Sequence, residues 1–287
     1  MSEKHIDEVS GVKTTGHVWD GIRELDNPMP RWWLWTFYLC IIWAIGYMFF
    51  YPAIPLINGA TKGYLGYSSR ADVVAELADA KAAQGALLEK IAATPVEDIA
   101  GDQELLQFAI AGGASAFKVN CAQCHGSGAA GSKGYPNLND DDWLWGGTID
   151  QIYLTIAHGI RYEADDDTRI SEMPAFADML EPAQINEVSA YVVSLSETPR
   201  DPAMVEPGKE IYAENCAACH GDTGEGIIDF GAPRLSDGIW LKASTEAEIA
   251  AQIRNPKHGV MPAWVGRLGE PTIKQLAVYV HTLGGGL

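Results

Sequence analysis

Cys121-Ala122-Gln123-Cys124-His125 and Cys216-Ala217-Ala218-Cys219-His220 decide the fold, because the chain repeats itself around them. Placing Cys121 on Cys216 also aligns Gly113 with Gly208, Phe117 with Tyr212 and Asn120 with Asn215. Downstream, Pro136, Leu138, Asp140, Trp143, Leu144, Thr148 and Ile152 fall on Pro233, Leu235, Asp237, Trp240, Leu241, Thr245 and Ile249 without a gap. Met173-Pro174-Ala175 then matches Met261-Pro262-Ala263, and Tyr191-Val192 matches Tyr279-Val280. Two copies of one fold are expected, at 108–198 and 203–287. Ser196–Pro207, with Pro199, Pro202 and Pro207, reads as the linker between them. Each copy reads as helix, Cys motif, loop, short helix, Met loop and closing helix, with no alternating strand pattern of useful length. The expected class is all-α.

The two CxxCH strings have the spacing of c-type haem attachment. Two thiols on one helical turn reach the two vinyl groups of one porphyrin, and the next residue, His125 or His220, sits beneath the iron. A thioredoxin-like pair needs a βαβ context, and a zinc site needs a second pair of ligands nearby; both are missing. Cys121, Cys124, Cys216 and Cys219 are therefore expected to hold two covalently bound haem c groups. Met173 and Met261 are the expected sixth ligands, since the following proline places each on a loop at the same point of its repeat. Met179 and Met204 have no counterpart in the other repeat. Spacing alone does not decide which haem each Met serves. His/Met ligation fills both axial positions and favours electron transfer over oxygen or peroxide chemistry.

His158-Gly159-Ile160 matches His258-Gly259-Val260, and the two histidines read as structural, bonding a propionate or the Met loop. Between the first string and Met173 lies an insert, Arg161 to Glu172, carrying Asp165, Asp166 and Asp167. With Asp140–Asp142 it reads as a solvated acidic loop or as a docking face for a basic cytochrome. Gly113 and Phe117, like Gly208 and Tyr212, share a helix face that can cross a closing helix near Tyr191 or Tyr279. Pro136 and Pro233 suit a loop whose carbonyl accepts from the ligand His.

Trp32 to Thr61 carries no charge, and Trp32 to Tyr51 is about 30 Å long as a helix, enough to cross a bilayer. Aromatic residues crowd both of its ends, as in a spanning helix. Its length and the lack of a small-x-small cleavage site argue against a removable signal. Lys4, Lys13, Arg23 and Arg31 favour an inside N-terminus slightly, and covalent haem attachment on the outer face decides it. The expected order is a cytoplasmic segment 1–31, an anchor 32–61, a periplasmic helical stem 62–107 and the two haem domains. The fifth cysteine, Cys40, lies inside the apolar run and reads as an apolar residue. In the stem, residues 70–93 favour helix, with Val73, Val74, Leu77, Leu87, Leu88 and Ile91 as an apolar stripe.

The formal net charge is −18 over 287 residues, which excludes nucleic acid as a natural partner and suits a protein partner with a basic face. An odd number of cysteines, four of them in CxxCH strings, excludes a disulfide framework.

The paired repeats resemble class I cytochrome c domains. The full layout, with Asp26-Asn27-Pro28-Met29-Pro30-Arg31-Trp32-Trp33, one spanning helix, Gly66-Tyr67-Ser68-Ser69-Arg70 and two haem domains, resembles the dihaem FixP/CcoP subunit of cbb3-type cytochrome c oxidases. The resemblance implies a bacterial inner-membrane subunit that is not catalytic by itself. It would pass electrons from a soluble or membrane-anchored cytochrome c toward the haem–copper subunit, beside a monohaem cytochrome subunit. A dihaem peroxidase, or a cytochrome subunit of another membrane complex, is the alternative.

Overall fold

A computed structural model of the protein describes residues 5–286; Lys4 and Leu287, which fall in the expected segments 1–31 and 203–287, lie outside the described residues. The chain forms two compact units, 1–82 and 83–287.

The first unit opens with a hairpin, β1 (Thr14–Trp19) and β2 (Ile22–Leu25), with Trp19 opposite Ile22. Asp20 and Gly21 make its turn with φ of 50° and 85°, as a two-residue hairpin on a right-twisted ribbon requires. The string Val18-Trp19-Asp20-Gly21-Ile22 carried that signal, although no strand was expected. Helix α1 (Arg31–Phe50) is 20 residues long and buries none of them, with a mean hydropathy of 1.6 over its most apolar window. Pro52 and Pro55 cannot continue it, and β3 (Pro55–Leu56) and β4 (Gly59–Ala60) form a tight turn instead. The helical part of the expected anchor 32–61 thus stops at Phe50. Helix α2 (Ser69–Ala83) leaves Val73, Val74 and Leu77 exposed.

The second unit begins at α3 (Gly85–Ala93), so the expected stem helix is broken at Gln84. Only its second half packs, through the fully buried Ile91. A 3-10 turn, Val96–Gly101, leads to α4 (Gln103–Asn120), which Asp102 caps by accepting from the Glu104 and Leu105 amides. Next come α5 (Ala122–His125), α6 (Ile149–His158), α7 (Pro182–Ser194), α8 (Val205–Asn215), α9 (Ala217–His220), α10 (Glu246–Arg254), α11 (Val265–Leu268) and α12 (Glu270–His281). Thr148 starts α6 with a reciprocal capping box to Gln151, and Thr245 caps α10 at the matched position.

The helices do not pack by sequence repeat. Helix α4 of the first repeat lies against α12, the closing helix of the second, and α6 joins them. Helix α8 of the second repeat lies against α7, the closing helix of the first, and α10 joins them. One core gathers Leu105, Ala109, Phe117, Ile152, Ile156, Ile273, Leu276 and Val280; the other gathers Phe176, Ile185, Val188, Tyr212, Ile249 and Ile253. The stretches 108–198 and 203–287 are therefore repeats of sequence, and the packed modules cut across them. The expected linker around Ser196–Pro207 joins α7 to α8 inside one module. The true crossings are the segments between α6 and Met173 and between α10 and Met261. They meet where Ile160 and Met261 exchange backbone hydrogen bonds at 2.9 and 3.0 Å.

Candidate functional site

Each module is organised around one helix–helix crossing that carries a CxxCH string. A side-chain carbon on Gly113 would lie 2.2 Å from the Gln275 carbonyl oxygen, and one on Gly208 would lie 2.0 Å from the Glu187 carbonyl oxygen. One turn further on, Phe117 meets Tyr279 with ring centroids 5.5 Å apart, and Tyr212 meets Tyr191 at 5.1 Å. These contacts fix the direction in which α4 and α8 deliver the following cysteines.

After α4 and α8, one short turn of helix presents each string. The ring of His125 donates from Nδ1 to the Pro136 carbonyl at 3.1 Å, and that of His220 donates to the Pro233 carbonyl at 3.0 Å. Both bonds fix the tautomer and leave Nε2 as the lone-pair nitrogen. Burial holds both imidazoles below their ordinary pKa, hence neutral. Burial also pushes the Cys121 and Cys216 thiols up to about 11, while Cys124 and Cys219 are exposed.

Met261 packs on the core that holds Cys121 and Phe117, and Met173 packs on the core that holds Cys216 and Tyr212. Each CxxCH string is thus in one module with the Met loop of the other repeat. Met179 is 57% exposed and belongs to neither core. His258 donates from Nε2 to the Met173 carbonyl at 3.2 Å, so it braces a Met loop across the seam. Its counterpart His158 does otherwise: its Nδ1 lies 3.1 Å from Asp165 Oδ1. Asp165 is therefore turned inward, while its neighbours Asp166 and Asp167 are exposed.

Sequence reasoning passed over the cations of that same insert. Arg161 donates to the carbonyls of Gly259 at 2.9 Å and Ser171 at 2.7 Å. Arg169 donates to the Trp145 carbonyl at 2.5 Å. The only signal was an arginine near each end of an otherwise acidic stretch. Asp142, half-buried near Asp237 and Asp140, has its carboxyl pushed up to about 6 by burial first and by those two charges second.

Two adjacent thiols, a neutral imidazole with a free nitrogen and a thioether in one module make a donor set that fits haem c. With the apolar helix α1, these features define a membrane-associated c-type cytochrome. Three family models match: the N-terminal domain of cytochrome oxidase-cbb3, FixP, over residues 11–58; cytochrome c over 110–196; and cytochrome c oxidase, cbb3-type, subunit III over 203–280. The chain is 63% identical to the cbb3-type cytochrome c oxidase subunit FixPc of Rhizobium leguminosarum bv. viciae, over 100% of both chains. It is 62% identical to subunit FixP of Rhizobium meliloti (strain 1021), over 99% of this chain and 98% of that one. It is 54% identical to subunit CcoP of Cereibacter sphaeroides, over 95% of each. The chain belongs to the FixP/CcoP family of cbb3-type cytochrome c oxidase subunits.

Proposed function

We propose that the chain carries two covalent haem c groups and relays electrons from a cytochrome c donor toward the haem–copper subunit of the oxidase, beside a monohaem cytochrome subunit. Cys121 and Cys124 would hold one haem, with His125 and Met261 as the residues that ligate its iron. Cys216 and Cys219 would hold the other, with His220 and Met173. The observation that carries this reading is the gathering of one CxxCH string and one Met loop into each module.

When bound, haem c supplies one-electron iron chemistry. The chain's own residues do the rest. The Pro136 and Pro233 carbonyls orient the ligand rings and raise their basicity. Thioether ligation by the methionines would raise the potential and favour electron transfer over oxygen chemistry. The crossings at Gly113 and Gly208 keep both donor sets rigid. Helix α1 anchors the chain, with residues beyond Lys62 in the periplasm and the N-terminal hairpin in the cytoplasm. The −18 charge draws a donor with a basic face.

Purification from membranes in mild detergent tests this. The chain is expected to stay with a haem–copper subunit, stain for covalent haem after denaturation, and be reduced by cytochrome c before oxygen is consumed. Oxygen consumption at full rate in membranes lacking the chain would contradict the relay.

A further inference from the structure

In a chain with 38 acidic and 20 basic residues, three half-buried cations gather where the crossing segments meet. Arg161 and Arg169 both stack on Trp145, their guanidinium carbons 5.9 and 5.8 Å from the ring centroid. Trp145 in turn lies against Gly231, in the loop after the second CxxCH string, where an added carbon would fall 2.2 Å from the indole. Lys242 is close enough to Arg161 to feel its charge, and its Nζ donates to the Lys257 carbonyl. All three cations sit on backbone carbonyls or hydroxyls: Gly259 and Ser171 for Arg161, Trp145 and Thr155 for Arg169, Lys257 for Lys242. Carbonyl dipoles satisfy hydrogen bonds but bring no net negative charge. Among the described residues, no carboxylate pairs with any of the three; Glu172 and Asp229 act on the two arginines only from further away. Burial disfavours the charged form of each, so the cluster is short of anionic partners.

Beside these cations lie two largely exposed apolar side chains. Ile170, next to Arg169, is 71% exposed, and Val260, next to the carbonyl that holds Arg161, is 61% exposed. A ligand with an apolar body and carboxylate arms matches both features at once, and haem has that form.

We propose that Arg161, Arg169 and Lys242 form a carboxylate-receiving cluster that takes haem propionates where the two modules meet. Guanidinium forks bind carboxylates through paired, charge-assisted hydrogen bonds. Neutralising the propionates there favours the ferrous over the ferric state, because net negative charge near the iron stabilises the higher oxidation state. These are positioning residues; the proposal rests on the dihaem reading above.

The test uses the full chain in its membrane complex, titrated spectroscopically against potential at several pH values. Arg161→Gln, Arg169→Gln and Lys242→Gln are compared with the charge-keeping Arg161→Lys, Arg169→Lys and Lys242→Arg. The glutamine variants are expected to shift the oxidised-to-reduced ratio of at least one haem about tenfold toward oxidised, a potential lower by about 59 mV. They should also acquire a pH-dependent potential, as an unpaired propionate begins to titrate; the charge-keeping variants should do neither. Unchanged potentials and pH profiles in glutamine variants that retain both haems would overturn the proposal. So would equal shifts in both sets, which mark a packing role. If an arginine variant does not accumulate, Lys242→Gln decides alone, because it leaves every arginine contact in place. Fewer than two covalent haems on the denatured parent chain would instead overturn the dihaem reading itself.

Discussion

At Gly113 and Gly208 a single carbon is the difference between a closed and an open module. An alanine at either would meet a carbonyl oxygen at 2.2 or 2.0 Å, and main chain on a packed helix cannot step aside as a side chain can. Gly208→Ala should destabilise its module by about 1–3 kcal/mol, as overpacking does, read as a lower thermal midpoint with the haem spectrum loosened in that module first. Asp142 offers a test by pH. Its folded pKa of about 6 stands above the ordinary 3.8, so the folded chain binds this proton more tightly than the unfolded one. Its contribution to stability therefore falls as pH rises from 3.8 to about 6 and is least favourable above that window. Asp142→Asn should raise the unfolding midpoint at pH 7 and flatten the pH profile across that window; a variant less stable than the parent at pH 7 would refute this. The proposed ligand residues were read from residue types alone, in CxxCH and the matched Met-Pro-Ala strings. Their pairing was not, because Met173 and Met261 sit in equivalent strings and carry no mark of which core they enter.

Among the elements, most helices were legible from the repeat, but the exchange of α7 and α12 was not. Tyr191-Val192 and Tyr279-Val280 present the same apolar pattern, so either closing helix fits either crossing. What chooses is connectivity: the segment from α7 to α8 is short, and consecutive elements joined by a short connection tend to stay adjacent. Reading that segment as a domain linker hid the rule. The N-terminal hairpin was missed for a different reason, a lone Asp-Gly turn in a segment too short to show alternation. Lys274 of α12 ties the exchanged helix to the stem. Its ammonium donates to the carbonyls of Ala92 and Thr94 at 2.9 Å and of Ile91 at 3.4 Å, and pairs with Glu270 at 3.2 Å. These carbonyls lie at the end of α3, where a helix runs out of backbone donors; that of Ile91 also accepts from the Thr94 amide. Lys274→Ala should cost about 1–3 kcal/mol, the penalty for leaving buried polar groups unpaired. Faster amide exchange in 85–102 before the rest of the module would check it; uniform exchange would contradict it.

For the whole molecule, the charge of −18 makes ionic strength the natural probe of partner binding. Reduction of the chain by a basic cytochrome c should slow steeply as salt rises, since steering acts over a Debye length of about 10 Å at 0.1 M. A rate indifferent to salt would place the donor contact on an uncharged face. The exchange of closing helices also makes the two modules one cooperative body, because each takes its CxxCH string from one repeat and its Met loop from the other. Removing one haem should therefore perturb the spectrum of the other. The central claim is that each iron takes its His from one repeat and its Met from the other. The most direct measurement is the weak near-infrared Met–iron band of the chain with Cys216→Ser and Cys219→Ser, which retains only the haem at Cys121 and Cys124. Adding Met261→Leu is expected to abolish that band and lower the potential, while adding Met173→Leu leaves both unchanged; the reverse result would contradict the account.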